Sequence, residues 1–144
     1  MMLIRELSGL KIVYSKPVIF INFEKKLCYL MTPGEYHYKE NCYINELLNT
    51  TADPDVSVAR VRVLPGEITE WHILDGITER YLILEGSGFA EVGNNPPEEV
   101  SEGAIVHIPP GIRQRINNSG ESDLIFLAVC TPRFDHEKYL ALEI

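Results

Sequence analysis

The chain has no excess of positive charge. It carries 13 Lys and Arg against 21 Asp and Glu, a net charge of −8, and its longest basic run is Lys25-Lys26. A protein that grips a phosphate backbone needs a clustered basic face, so nucleic acid is not an expected partner. Cysteine is scarce and odd in number, and Cys28, Cys42 and Cys130 form no CxxC pair. That argues against a disulfide framework and suits a reducing cytosol, with each thiol read as a small buried apolar group. No apolar run approaches the roughly 18–20 residues of a membrane span. The opening MMLIRELSGL is too short and too charged for the apolar stretch of a signal peptide. A cytoplasmic protein with no membrane partner is expected. Gly86-Ser87-Gly88 lacks the third glycine and the following helix of a dinucleotide fingerprint. It reads as a hairpin turn, and no nucleotide cofactor is expected.

What is present is a series of short strands. At 144 residues the chain fits one domain, and such a length buries roughly 70% of its unfolded surface without staples. From Val56 onward, VSVARVRVL, ITEWHIL, ERYLILEG, FAEVG, AIVHI, IRQRI and DLIFLAVC each stop at Gly, Pro, Asn or Thr-Pro. Seven short strands so spaced predict an antiparallel sandwich or barrel, an all-β fold. Upstream, VIFIN (18–22) and KLCYLM (26–31) read as two strands. CYINELL (42–48) is either a third strand or a turn of helix, because periodicity does not separate the two at this length. In the tail FDHEKYLALEI, Asp135 is placed to cap one helical turn. The expected division is an N-terminal extension over 1–55, a barrel over 56–132 and a tail over 133–144.

Two spaced motifs sit on these strands. Five residues separate Gly66 from His72; Leu74, Glu79 and Gly86 follow after one, four and six more. Downstream, Gly103 precedes Pro109 by five intervening residues, and Gly111, Gln114 and Asn118 follow after one, two and three. The pair resembles the two motifs of the cupin family, G(X)5HXH(X)3,4E(X)6G and G(X)5PXG(X)2H(X)3N. Eight of the ten defining positions match. The departures are Leu74 and Gln114, each where the family has a histidine. The resemblance covers about residues 58–130 and implies a jelly-roll barrel.

It also implies a site. Metal-binding cupins hold one divalent ion with two histidines and a glutamate of the first motif and the histidine of the second. Carried over by position, the metal set here is His72, Glu79 and Gln114, with Leu74 unable to bind. The implied ion is Fe, Mn, Ni or Zn, held more weakly than by three histidines and a carboxylate. Strand alternation puts Glu79, Tyr81 and Ile83 on one interior face, and Ile112, Gln114 and Ile116 on another. A buried carboxylate is costly without a cation or donor, so His72 and Glu79 are expected to act together as the catalytic pair. Tyr81 and Gln114 are candidate ligand-binding residues. Arg60 and Arg62 share one face of their strand: turned inward they would bind an anionic substrate, turned outward they would be solvated. Arg113, Arg115 and Trp71 have outward parity, and His37, His107 and His136 read as structural or surface.

Three functions remain open on this basis. One is a metal-dependent enzyme of the dioxygenase or isomerase type, holding its ion through an altered ligand set. Another is a metal-free epimerase or lyase that uses His72 and Glu79 for proton transfer. The third is a non-catalytic cupin that binds a small molecule. Each takes a small-molecule ligand in the barrel, and the family's habit of pairing through its sheets implies a homodimer.

Overall fold

The computed structural model describes residues 34–143, and before them only the backbone of four strands. Strands β1 (Leu3–Leu7) and β2 (Leu10–Tyr14) pair antiparallel, as do β3 (Pro17–Ile21) and β4 (Leu27–Met31). The second hairpin falls where VIFIN and KLCYLM predict strands. The side chain of Cys28 lies outside the described residues.

Two antiparallel sheets make up the rest. The six-stranded sheet runs β12 (Ile105–Ile108), β9 (Thr78–Glu85), β14 (Leu124–Thr131), β7 (Ser57–Val63), β6 (Cys42–Leu48) and β5 (Tyr36–Tyr38). The five-stranded sheet runs β11 (Glu98–Ser101), β10 (Ser87–Val92), β13 (Gln114–Asn117), β8 (His72–Leu74) and β15 (Tyr139–Ala141). The chain is all-β, a jelly-roll sandwich, apart from a 3-10 turn at His136–Lys138. As expected, Asp135 caps that turn, its side chain accepting from the Glu137 N–H at 3.0 Å.

Alternation assigns the faces. On β9, Glu79, Tyr81 and Ile83 point in while their neighbours point out, and on β7 Val61 and Val63 do the same. Tyr81, Ile83, Val61 and Val63, with Phe126 and Ile108, meet Ala90, Val100 and Ile116 of the other sheet in one apolar cluster. Each large side chain fully buried there contributes about 1.5–3 kcal/mol. A second cluster of Leu74, Ile77, Cys130 and Tyr139 packs with Tyr38 and Phe134. Gly86 marks a crowded crossing: its φ is +82°, and a Cβ there would stand 2.5 Å from the Asp123 carbonyl oxygen. Only glycine takes that conformation freely and leaves room for the neighbouring backbone.

Several elements depart from the pattern read in the sequence. CYINELL is a strand, because the edge of β7 gives it a ladder to join. ITEWHIL pairs as a strand only over His72–Leu74, with an isolated bridge at Ile68. Ile112, expected inside with Gln114 and Ile116, lies in the turn before β13 and is 37% exposed. The sequence reading missed β11, which is short and acidic. It also missed β15, which pairs with β8 in the register Tyr139↔Leu74 and Ala141↔His72. The sheets therefore extend to both sides of the expected 56–132 barrel.

Candidate functional site

His72 sits on the three-residue β8, held between Gln114 of β13 and Ala141 of β15. Its ring is 4% exposed and stacks on Tyr139, with centroids 5.1 Å apart and planes 23° from parallel. The ring Nδ1 lies 2.9 Å from the backbone oxygen of Glu70. A carbonyl only accepts, so Nδ1 carries a proton, and the tautomer this selects has its lone pair on Nε2.

Glu79 enters the same cavity from β9, 7% exposed. The Cys130 thiol, opposite it on β14, donates to Oε1 across 3.7 Å, while Oε2 has no hydrogen-bond partner. Burial pushes this carboxyl up to about 7; nearby His72 opposes the shift and the Glu40 carboxylate adds to it. Beside it, the Tyr81 hydroxyl donates to Gln114 Oε1 at 2.6 Å. Gln114 Nε2 is buried and also unpartnered. Two orphaned polar atoms on one buried wall are unusual, because buried polar groups are ordinarily hydrogen-bonded.

Glu40 is the residue that sequence reasoning missed. It lies in the turn between β5 and β6, where Asn41 adopts a φ of +62°. Its backbone oxygen accepts from Glu70 N at 3.2 Å, tying the turn to the approach to β8. The side chain is 12% exposed, and Oε2 stands 3.7 Å from His72 Nδ1. Burial raises its pKa, against the pull of His72 and the Tyr139 hydroxyl. Nothing local in the sequence announces this residue; only strand pairing brings it to His72.

The cavity encloses about 70 Å³, bounded by Glu40, His72, Glu79 and Tyr81 with Tyr38 and Tyr139. That is room for about five waters. His136 stands at its edge against Phe134, while His37 and His107 are exposed.

The arginines expected as ligand contacts lie elsewhere. Val61 and Val63 take the interior of β7, so Arg60 and Arg62 face outward and pair with Glu35; Arg62 also meets Asp123 at 3.4 Å. Arg113 and Arg115 likewise face away, their guanidinium carbons 4.4 and 4.6 Å from the ring centre of Trp71.

The donor set does not fit the family's metal. Leu74 offers no donor, and the Gln114 carbonyl accepts from Tyr81. Among the described residues no three His, Cys, Asp or Glu side chains converge as ligands. Asn118, by contrast, keeps a structural role. Its amide donates to Val63 O and Ser122 O, both at 2.8 Å, and its oxygen accepts from Gly120 N at 3.0 Å.

Similar proteins agree with this architecture. MJ1618, an uncharacterised protein of Methanocaldococcus jannaschii, is 34% identical over 110 residues, covering 75% of this chain and 87% of the relative. A predicted oxalate decarboxylase of Thermotoga maritima superposes with a TM-score of 0.59 at 29% identity, over 63% of this chain and 80% of that one. Pac13 of Streptomyces, a nucleoside dehydratase, shares the fold with a TM-score of 0.67 at 16% identity, over 90% of this chain and 93% of its own. The cupin-domain family model matches residues 59–130, which contain both motifs. On that match and the two-motif barrel it spans, the chain belongs to the cupin-domain family.

Proposed function

We propose that this cupin binds a small polar molecule in its barrel and transfers protons on it without a metal, as an epimerase or lyase does. The observation that carries this reading is the buried Glu79, with Oε2 free toward the cavity that it shares with the tautomer-fixed His72. In this scheme Nε2 of His72 takes a proton from the substrate. Glu79, protonated up to about pH 7, donates one to the atom that gains charge. The Gln114 amide, held through its oxygen by the Tyr81 hydroxyl, stands beside Glu79 and favours its ionised form once the proton is given up. Pac13, a nucleoside dehydratase on the same fold, is a neighbour compatible with this chemistry.

Proton NMR in D2O tests the scheme. Small polyols, hydroxy acids, amines and nucleosides are first screened for binding, and each binder is then incubated with enzyme. Loss of a substrate C–H signal, or product formation, is expected with the wild type and absent in His72→Asn and Glu79→Gln. Binding without turnover or exchange would point to the non-catalytic reading.

The metal-dependent dioxygenase or isomerase reading draws on the family resemblance and on the T. maritima neighbour. Elemental analysis of tag-free protein beside His72→Ala separates it from ours. Near-stoichiometric metal lost in the variant would favour it. No uptake of added Fe, Mn, Ni or Zn leaves the proton-transfer reading in place. A cytosolic homodimer completes the proposal; the free, buried thiols of Cys42 and Cys130 suit a reducing compartment.

A further inference from the structure

Among the described residues, the side chains that line the cavity include three carboxyls and two imidazoles, His72 and His136. Glu40, Glu46 and Glu79 line it, and no Lys or Arg does. Arg60 and Arg62, the nearest candidates in sequence, are turned outward to Glu35. Between the carboxylates stand aromatic rings: Tyr38 and Tyr139 meet edge to face at 6.1 Å, and Tyr81 packs on Phe126 at 4.4 Å. The negative face of an aromatic ring attracts cations. The chain already shows this at the outer wall, where the Lys39 ammonium lies 4.3 Å from the centre of the Tyr139 ring. Within the cavity Glu79 Oε2 is buried and has no hydrogen-bond partner.

Taking the small-molecule reading above as given, we infer that the ligand is a small organic cation, an amine or ammonium compound, rather than a carboxylate or phosphate. An ammonium group supplies N–H donors to the Glu40 carboxylate and to the Glu79 carboxyl, and above about pH 7, where Glu79 ionises as well, it offsets both charges in one low-dielectric space. An anion would meet the carboxyls of Glu40, Glu46 and Glu79, and among the described residues no Arg or Lys lines the cavity to pair with it. The volume suits a molecule of about six heavy atoms, similar to the five waters it would displace. The Tyr81 hydroxyl, whose proton goes to Gln114 Oε1, keeps an oxygen lone pair for a hydroxyl on the same ligand.

Three compounds on one carbon frame test the charge directly: 4-amino-1-butanol, 1,4-butanediol and 4-hydroxybutyrate. Binding to the full chain is followed by titration calorimetry and ligand-observed NMR, with melting curves to verify that each variant is folded. The amine is expected to bind tightest. Glu40→Gln and Glu79→Gln should each weaken it by about tenfold to a hundredfold, the worth of a hydrogen bond to a charged group, and leave the diol nearly unchanged. Tighter binding of the diol or the carboxylate overturns the cation inference while the small-molecule reading stands. Failure of the amine to bind, or equal binding to the wild type and both Gln variants, also overturns it. In those cases the D2O exchange experiment still judges the proton-transfer reading by itself.

Discussion

Burial takes from Glu79 the water that would keep its carboxyl acidic, and that one change makes the site's chemistry testable by pH. In the folded chain its pKa is about 7 against an ordinary 4.5. Below 4.5 the neutral acid is present in both states; as pH rises toward 7 the unfolded chain ionises first, and stability is lost. Relative to Glu79→Gln, the wild type should lose about 3 kcal/mol between pH 4.5 and 7.5. Urea melts across that range measure it, and a pH-independent difference would mean that Glu79 is not desolvated as described. Asn118 makes a different prediction. Asn118→Ala strands the Val63 and Ser122 carbonyls and should cost about 2–3 kcal/mol at any pH. The motif spacing picked out His72, Glu79, Gln114 and Asn118, and Tyr81 followed because alternate strand positions share a face. Glu40 was hidden because its partner is 32 positions away, across a pairing that no local pattern encodes.

Strand β15 illustrates how a short element can govern a site. Its three residues close the edge of the five-stranded sheet and place Tyr139 flat against His72. Tyr139→Ala should therefore cost about 3 kcal/mol, the usual loss for a buried aromatic. It should also broaden or shift the His72 ring resonances, which a loss of packing remote from the histidine would leave in place. Tyr139→Phe should restore most of both. The sequence supports a capped turn in this tail, since an Asp before a polar turn is a local signal. It does not reveal that Tyr139–Ala141 is a strand, because a ladder of three residues exists only if β8 is there to receive it. For the same reason β6 was ambiguous, whereas the longer β9 and β14 were legible from their alternation or apolar run.

The outer faces of both sheets carry charged side chains. Arg60 and Arg62 lie there, so Arg60→Ala with Arg62→Ala should leave ligand affinity within about twofold; a larger loss, with the fold intact, would mean that these residues reach the ligand. Phe89, Ile68 and Leu140 are exposed on the described surface, and light scattering is expected to give the mass of two chains. A monomer would remove the homodimer from the proposal. By itself the sequence determined an all-β barrel of cupin type, the glycines and prolines that end its strands, and the pairing of His72 with Glu79 in one interior. Those features follow from period-two alternation and turn chemistry, which act over a few residues. The tertiary structure alone decided that Glu40 joins His72, that Arg60 and Arg62 turn away from the cavity, and that Tyr139 forms its wall. Each depends on which strand edges meet, and the chain sets that by burying surface distributed over its whole length.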